Sequence, residues 1–332
     1  MRRPPRAALA LAAALAACAG SDRPGRAAAG EPGAGDSVLV VFNAGSLARP
    51  LRAALDTFAS REGVRIQQEN AGSLETARKL TELGKVPDLV ALADYEIFPS
   101  LLMPRHVAWY AAFARNRMVL AYTPRSRHAG EITSETWPDV LLRPDVEWGH
   151  SSPALDPAGY RALLVMRLAE THFRRAGLAD SLERAVPARN IRPKEVDLVA
   201  LLQAGELDYA WEYESVARAA DLRFVTLSPD IDLGAPELAA GYARASLRIP
   251  GRTPRDSIVV RGQPILYALS VPRQAPHGAL GGRAAAWLLS AEGRRALRRE
   301  KLDALEAPRL EGTGVPPAVA AAARGAAPAT PR

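Results

Sequence analysis

The chain has a single cysteine, Cys18, in 332 residues, so no internal disulfide can staple it. Its five histidines, His106, His128, His150, His172 and His277, show no metal-ligand spacing such as His-Glu-x-x-His and read as ordinary surface or core histidines. Neither Ser46 nor Ser73 sits in a Gly-x-Ser-x-Gly elbow, and no Walker or Rossmann glycine pattern is present. After the first seventeen residues no segment is long and apolar enough for a transmembrane helix. No repeat of solenoid length appears. These absences leave little room for catalysis or a resident cofactor, and point to a binding protein.

What is present is a duplicated turn. Val38 to Phe42 reads as a short buried strand, broken by Asn43-Ala44-Gly45-Ser46-Leu47, and a helical pattern then runs from Pro50 to Ser60. The same order recurs with Ile66 to Glu69 as the strand, Asn70-Ala71-Gly72-Ser73-Leu74 as the turn, and a helix to Leu83. A helix entered through such a turn leaves its first N–H groups unpaired, and with its dipole these suit an anion. Two copies predict one oxyanion held between two helix N-termini, with Gly45, Ser46, Gly72 and Ser73 at the contact.

The start of the chain reads as an export signal: Arg2, Arg3 and Arg6, then an apolar run from Ala7 to Ala17, then small residues before Cys18. Leu15-Ala16-Ala17-Cys18 resembles the lipobox of bacterial lipoproteins, which implies a signal over residues 1–17 and a lipid on Cys18. Residues 18–36, rich in Gly, Ala, Pro and Arg, read as a flexible tether. The tail 307–332, mostly Ala, Pro, Gly and Arg, is expected to be disordered. The formal charge of +7 is not read as a nucleic-acid signal, because three of the arginines lie in the signal and Arg294, Arg295, Arg298 and Arg299 suit the solvated face of a terminal helix.

Between these ends, strands and helices alternate, which predicts an α/β chain with mainly parallel sheets. Strands are expected at 89–92, 118–122, 147–150, 207–211 and 263–271, and helices at 137–142, 160–175, 195–203 and 278–289. Two carboxylates stand out. Asp156 precedes Pro157 at the head of the long helix, where an N-cap is the plain reading. Glu212 lies where a strand ends, where a solvated loop charge is the plain reading.

The chain resembles the tungstate/molybdate-binding proteins of ABC importers, in the archaeal-type branch, over nearly all of residues 37–300. The resemblance is carried by Phe42-Asn43-Ala44-Gly45-Ser46-Leu47, by Pro87-Asp88-Leu89-Val90-Ala91-Leu92-Ala93-Asp94-Tyr95 and by Asn116-Arg117-Met118-Val119-Leu120-Ala121-Tyr122-Thr123. It continues through Leu141-Leu142-Arg143-Pro144-Asp145-Val146, Leu155-Asp156-Pro157-Ala158-Gly159-Tyr160-Arg161, Trp211-Glu212-Tyr213-Glu214-Ser215-Val216-Ala217 and Gly262-Gln263-Pro264-Ile265-Leu266-Tyr267. Two positions depart from it: Ala158 stands where relatives carry Cys, and Glu214 where Lys is usual.

The resemblance implies a type II periplasmic-binding-protein fold, with 37–122 and 262–305 as one lobe, 126–258 as the other, and the ligand in the cleft between. It implies that Gly45, Ser46, Gly72, Ser73, Asp156, Pro157, Ala158 and Glu212 surround a molybdate or tungstate, with Asp156 and Glu212 reaching its metal centre. Partners would be an ABC permease and its ATPase, and the membrane through lipidated Cys18. No cofactor and no nucleic acid are expected. The protein would be a monomer, exported and anchored at the outer face of the cytoplasmic membrane or held in the periplasm. A binder of sulfate or phosphate, and an exported hydrolase using Ser46, are the alternatives.

Overall fold

The computed structural model describes residues 37–250 and 257–325. The expectations for the signal, Cys18 and the tether lie outside the described residues.

The strands, in chain order, are β1 (Val38–Ala44), β2 (Arg65–Ala71), β3 (Leu89–Leu92), β4 (Trp109–Asn116), β5 (Met118–Tyr122), β6 (Trp148–Ser151) and β7 (Ile191–Arg192). They continue as β8 (Tyr209–Tyr213), β9 (Arg223–Thr226), β10 (Ser246–Pro250), β11 (Ser257–Arg261), β12 (Ile265–Ser270) and β13 (Asp303–Gly312). One sheet runs in the order β13-β4-β12-β3-β1-β2 and a second in the order β7-β6-β8-β5-β9, while β10 and β11 pair as a ribbon. Both sheets are mixed rather than mainly parallel. β1 pairs in parallel with β2 and β3, whereas β12 runs antiparallel to β3 and β4. In the second sheet β6 pairs in parallel with β7 and β8, and β5 runs antiparallel to β8 and β9.

Burial follows the residue types. Every residue of β3 and of β12 is buried, as expected for apolar strands covered on both faces. The helix Ala48–Glu62 turns Pro50, Leu51, Ala54, Leu55 and Phe58 inward at helical spacing. It stops at Gly63, whose φ of 65° takes the left-handed conformation that ends the helix.

The chain passes from the first sheet to the second at Arg117, so β5 belongs with the second sheet and the expected lobe boundary after Tyr122 moves back to that residue. Residues 109–122 form a nearly continuous extended run, and its pattern alone does not show where the sheet changes. The break comes from Asn116. Its Nδ2 donates to Ser215 Oγ at 2.7 Å and to the Tyr267 hydroxyl at 3.0 Å, and its Oδ1 accepts from the Arg117 N–H at 3.0 Å.

The expected disorder after Ala307 is overturned as far as Gly325. β13 pairs antiparallel with β4, and Pro317–Arg324 is a helix that buries Val319 and Ala323. Its alanine-rich face packs on the helix Gly278–Leu289, itself built largely from Gly and Ala. Small residues let two helices approach closely, so the composition that looked tail-like serves as a packing surface.

Candidate functional site

β1 and β2 place the two turns side by side. Asn43 pairs with Asn70 and Ala44 with Ala71, so the two Gly-Ser steps leave adjacent parallel strands in register. Gly45–Leu47 forms a 3-10 turn leading into Ala48–Glu62, and Ser73 is the first residue of the helix Ser73–Thr81. Both serines are buried, at 5% and 0% exposure. Ser46 Oγ accepts from the Tyr267 hydroxyl at 3.2 Å, and that phenol in turn accepts from Asn116. Ser73 Oγ accepts from the Ala93 N–H at 3.0 Å. A serine hydroxyl has one proton, so a serine whose oxygen already accepts from the protein keeps that proton for another acceptor.

The second helix N-terminus is partly occupied. The N–H groups of Leu74 and Glu75 donate to the Leu155 carbonyl at 3.1 and 3.3 Å. Those two donors are therefore capped by the other sheet's chain instead of being left for an anion. Gly72 makes this possible, because a Cβ there would fall 2.3 Å from Leu155 O and 3.2 Å from Asp156 Cβ.

Opposite the turns stand three carboxyls. Asp156 occupies the N-cap position of the helix Pro157–His172, with Pro157 and Ala158 opening that helix, but its side chain makes no capping bond. Oδ2 instead accepts from the Glu195 N–H at 3.1 Å, and Oδ1 has no hydrogen-bond partner. Glu212 lies within β8, opposite Val119 of β5, and is fully buried with both oxygens unpartnered. The plain readings of capping and of a solvated loop charge thus fail for both residues. The third carboxyl, Glu195, was not anticipated. It precedes the helix Val196–Ala204 and is fully buried, and neither of its oxygens accepts from an N–H or hydroxyl donor, its carboxyl meeting that of Asp156 instead. Its Oε2 lies 3.4 Å from where a Cβ on Gly45 would stand. Lys194, beside it, reaches Asn70 Oδ1 of the second turn at 3.4 Å.

Burial pushes all three carboxyls above their ordinary range. For Glu195 the charge of Asp156 and a hydrogen bond with it add to the rise, followed by the charge of Glu212. For Glu212 the charge of Asp156 adds to burial. For Asp156 the neighbouring Glu195 and Ser151 pull part of the way back.

A buried cation lies behind the carboxyls. The Arg161 Nη1 donates to Ala93 O and to the Tyr213 hydroxyl, each at 2.7 Å, and Nη2 lies 3.4 Å from Asp94. Tyr160 also donates to Asp94, so the head of one long helix is tied to the segment after β3. Glu214 is held below its ordinary value although burial pushes it up, because Arg117 and Arg218 both pair with it. The open cavity at the crossover, about 690 Å³, is lined by Arg117, Glu214, Ser215, Arg218 and Asp232 and holds none of the three carboxyls. Among the described residues no group of three or more His, Cys, Asp or Glu is arranged to hold a metal ion. His128, His172 and His277 pair with acidic residues, and the buried His150 bonds Ser151 O.

Ser151 and Tyr267 join Glu195 as site neighbours that the sequence reading did not single out. Tyr267 closes the run Gly262 to Tyr267, and Ser151 precedes Asp156 in the chain, but nothing in their spacing marks them.

Residues 39–300 match the family described as bacterial extracellular solute-binding protein. An uncharacterized solute-binding protein of Petrotoga mobilis is 44% identical over 240 residues, covering 72% of this chain and 75% of that relative. The molybdate/tungstate-binding protein WtpA of Pyrococcus abyssi is 34% identical over 305 residues, covering 84% and 88%. Among solved structures, the periplasmic molybdate-binding protein of Azotobacter vinelandii superposes with a TM-score of 0.57 at 14% identity, covering 80% of this chain and 98% of that one. The sulfate-binding protein SubI of Mycobacterium tuberculosis does so with 0.58 at 15%, covering 86% and 89%. At these identities the likeness is one of fold: two α/β lobes of the type II periplasmic-binding-protein kind.

Proposed function

Since the chain belongs to the bacterial extracellular solute-binding proteins, a family of binders and not of enzymes, we propose that it captures molybdate or tungstate for an ABC importer. The observation that carries this reading is the pair of buried carboxyls, Asp156 and Glu212: Asp156 Oδ1 and both Glu212 oxygens have no hydrogen-bond partner, and Asp156 packs on Gly72 of the second serine turn. Ser46 and Ser73 donate their protons to the oxo oxygens, together with N–H groups of the turns other than those of Leu74 and Glu75, which Leu155 holds. Asp156 and Glu212 reach past those oxygens to the metal centre, a hard high-valent ion that takes oxygen ligands. Four oxo groups and two carboxylates make a six-coordinate shell, with Pro157 and Ala158 closing the wall beside Asp156.

The alternative of a plain anion site is electrostatically unfavourable. Two unit like charges 4 Å apart repel by about 4 kcal/mol at an effective dielectric near 20. Sulfate and phosphate would meet that repulsion without return, since sulfur and phosphorus do not readily add carboxylate ligands. A hydrolase reading needs a base beside Ser46, where the structure has the Tyr267 phenol.

Binding measured by calorimetry against molybdate, tungstate, sulfate and phosphate tests the reading. Molybdate and tungstate should bind far more tightly than the other two, and equal or preferential binding of sulfate or phosphate would reject it. Attachment is tested separately. Leu15-Ala16-Ala17-Cys18 supports lipidation of Cys18 and a membrane-tethered protein that serves a permease and its ATPase as a monomer. Cys18→Ser should release the protein from the membrane fraction or leave its precursor uncleaved. A soluble wild-type protein with an unmodified cysteine would refute the anchor while leaving capture intact.

A further inference from the structure

The two serines are aimed by different means. Ser73 Oγ accepts from a main-chain group, the Ala93 N–H at 3.0 Å, which can only donate. Ser46 Oγ accepts from the Tyr267 hydroxyl at 3.2 Å, and a phenol can donate or accept. The direction of that hydroxyl is fixed by Asn116. Its Oδ1 accepts from the Arg117 N–H at 3.0 Å and the Ser215 N–H at 3.3 Å, so turning the amide over would set its NH2 against two N–H donors. Nδ2 is left to donate, to Ser215 Oγ at 2.7 Å and to the Tyr267 oxygen at 3.0 Å. Asn116, Tyr267 and Ser46 are all buried, and the Tyr267 ring lies at 73° to that of Tyr213 with centroids 5.8 Å apart.

We infer that Tyr267 is a positioning residue of the oxyanion site: directed by Asn116, it turns the Ser46 proton toward the anion. This rests on the proposed capture of molybdate or tungstate at the serine turns. The chain of donors runs in one sense, from the Asn116 N–H to the Tyr267 oxygen, from the Tyr267 O–H to Ser46 Oγ, and from the Ser46 O–H to an oxo oxygen. In the reverse sense Ser46 and Asn116 would both donate to the phenol oxygen, and the buried phenol proton would lose the acceptor it has now, which is unfavourable. Without the phenol the Ser46 hydroxyl is free to rotate, and the anion has to order it on binding. One of the two N–H groups that orient Asn116 belongs to the helix Glu214–Ala219, so the chain reaches from the crossover between the sheets to the first serine turn.

The test is a double-mutant cycle read by calorimetry with tungstate. Tyr267→Phe keeps the ring and removes the hydroxyl, and should weaken binding by about three- to tenfold. In the Ser46→Ala background the same change should alter affinity by less than about twofold, because no serine proton remains to be aimed. In the Ser73→Ala background it should keep its full loss. A merely structural role would give the same loss in all three backgrounds. That result, or a Tyr267→Phe protein that binds like wild type, would overturn the inference. Should Tyr267→Phe fail to fold, a crystal structure of the wild-type tungstate complex decides. Ser46 Oγ should then lie within about 3.2 Å of both the Tyr267 oxygen and an oxo group, and a separation beyond about 4 Å from either would overturn the positioning role. A wild-type protein that binds neither tungstate nor molybdate would instead reject the capture reading itself, and the positioning role with it.

Discussion

In the proposed site the first sheet presents donors, and the second half of the chain presents carboxyls. Ser46 and Ser73 come from two parallel strands in register, and each hydroxyl is held by a protein donor so that its proton is free. Asp156, Glu195 and Glu212 come from three separate segments of the second half; both Glu212 oxygens and Asp156 Oδ1 lack a protein donor, while Asp156 Oδ2 is held by the Glu195 N–H. The donor wall suits any tetrahedral oxyanion. The carboxyl wall repels such an anion unless its centre accepts ligands. On this division affinity for oxygen resides in the first sheet and discrimination in the second, and variants on each wall should fail in different ways.

The largest expected effect comes from removing the two proposed carboxylate ligands together. The double variant Asp156→Asn with Glu212→Gln should lose about hundredfold or more in tungstate affinity, about 2.7 kcal/mol, and each single variant about tenfold. Sulfate binding should hold steady or improve, because negative charge has been taken away beside a dianion. X-ray absorption on the wild-type complex should show four short oxygens and a longer pair. Variants that bind tungstate like wild type, or a purely tetrahedral spectrum, would mean that both walls recognise oxygen alone.

The serine wall should respond less selectively. Ser46→Ala and Ser73→Ala should each weaken tungstate binding by about 1–3 kcal/mol, the range for a hydrogen bond to a charged group. The tungstate-to-sulfate ratio should stay nearly constant, since both anions offer the same oxygens. Unchanged affinity in both variants would remove the serines from the site, and a large change in the ratio would erase the division of labour.

The two walls also differed in how far the sequence revealed them. The turns were readable because a repeated Asn-Ala-Gly-Ser-Leu sits at a strand-to-helix step, and local pattern is enough to see that. Their alignment in register, and the capping of Leu74 and Glu75 by Leu155, depend on strand pairing and lobe packing that no local pattern carries. Asp156 and Glu212 were named through a family resemblance, while their plain readings, a cap and a solvated charge, were wrong. Burial of Glu212 arises because β8 continues to Tyr213 against β5, two residues past where the apolar run was taken to end. Glu195 gave no signal at all. It follows Arg192, Pro193 and Lys194 at a helix start, where an acidic residue is ordinary, and only tertiary packing buries it. The ordered strand and helix after Asp303 were hidden by composition in the same way, since alanine suits both a disordered tail and a close helix contact.

Ligand-free protein gives a smaller effect that still separates the walls. Burial raises the folded-state values of Asp156, Glu195 and Glu212 above the ordinary carboxyl range near 4. Their contribution to stability is therefore complete below about pH 4 and is lost as pH rises through the raised values. Paired surface carboxylates act in the opposite window. Glu131, held at about 2 by Arg143 and His128, contributes above the ordinary value and loses that contribution as pH falls. The melting temperature without oxyanion should decline between about pH 5 and pH 8, by about 2–4 °C for each kcal/mol lost. Tungstate should flatten that decline, and Glu212→Gln, with nothing to titrate, should reduce it. Stability that holds level from pH 5 to 8 in ligand-free protein would show that the carboxyls are not held out of water as the structure has them.

The smallest expected effect concerns Glu214, a position at which the resemblance to tungstate/molybdate binders implies Lys. It lies two residues from Glu212, so a reversal of charge there would appear to alter the field at the anion. The structure argues otherwise. Glu214 pairs with Arg117 and Arg218, both partly exposed, and faces the open cavity at the crossover instead of the carboxyl cluster. The neighbours that move Glu212 are Asp156 and Asp197, and those that move Glu195 are Asp156 and Glu212. Its charge is thus cancelled locally before it reaches the site. Glu214→Lys sets a third cation beside two arginines and should lower stability by about 1 kcal/mol or less, as for partly exposed pairs. Tungstate affinity should remain within about threefold of wild type, less than 0.7 kcal/mol. Denaturant unfolding and calorimetry read the two effects separately. A tenfold change in affinity would place Glu214 within the field of the anion, and the carboxyl wall would then have to be redrawn to include the crossover.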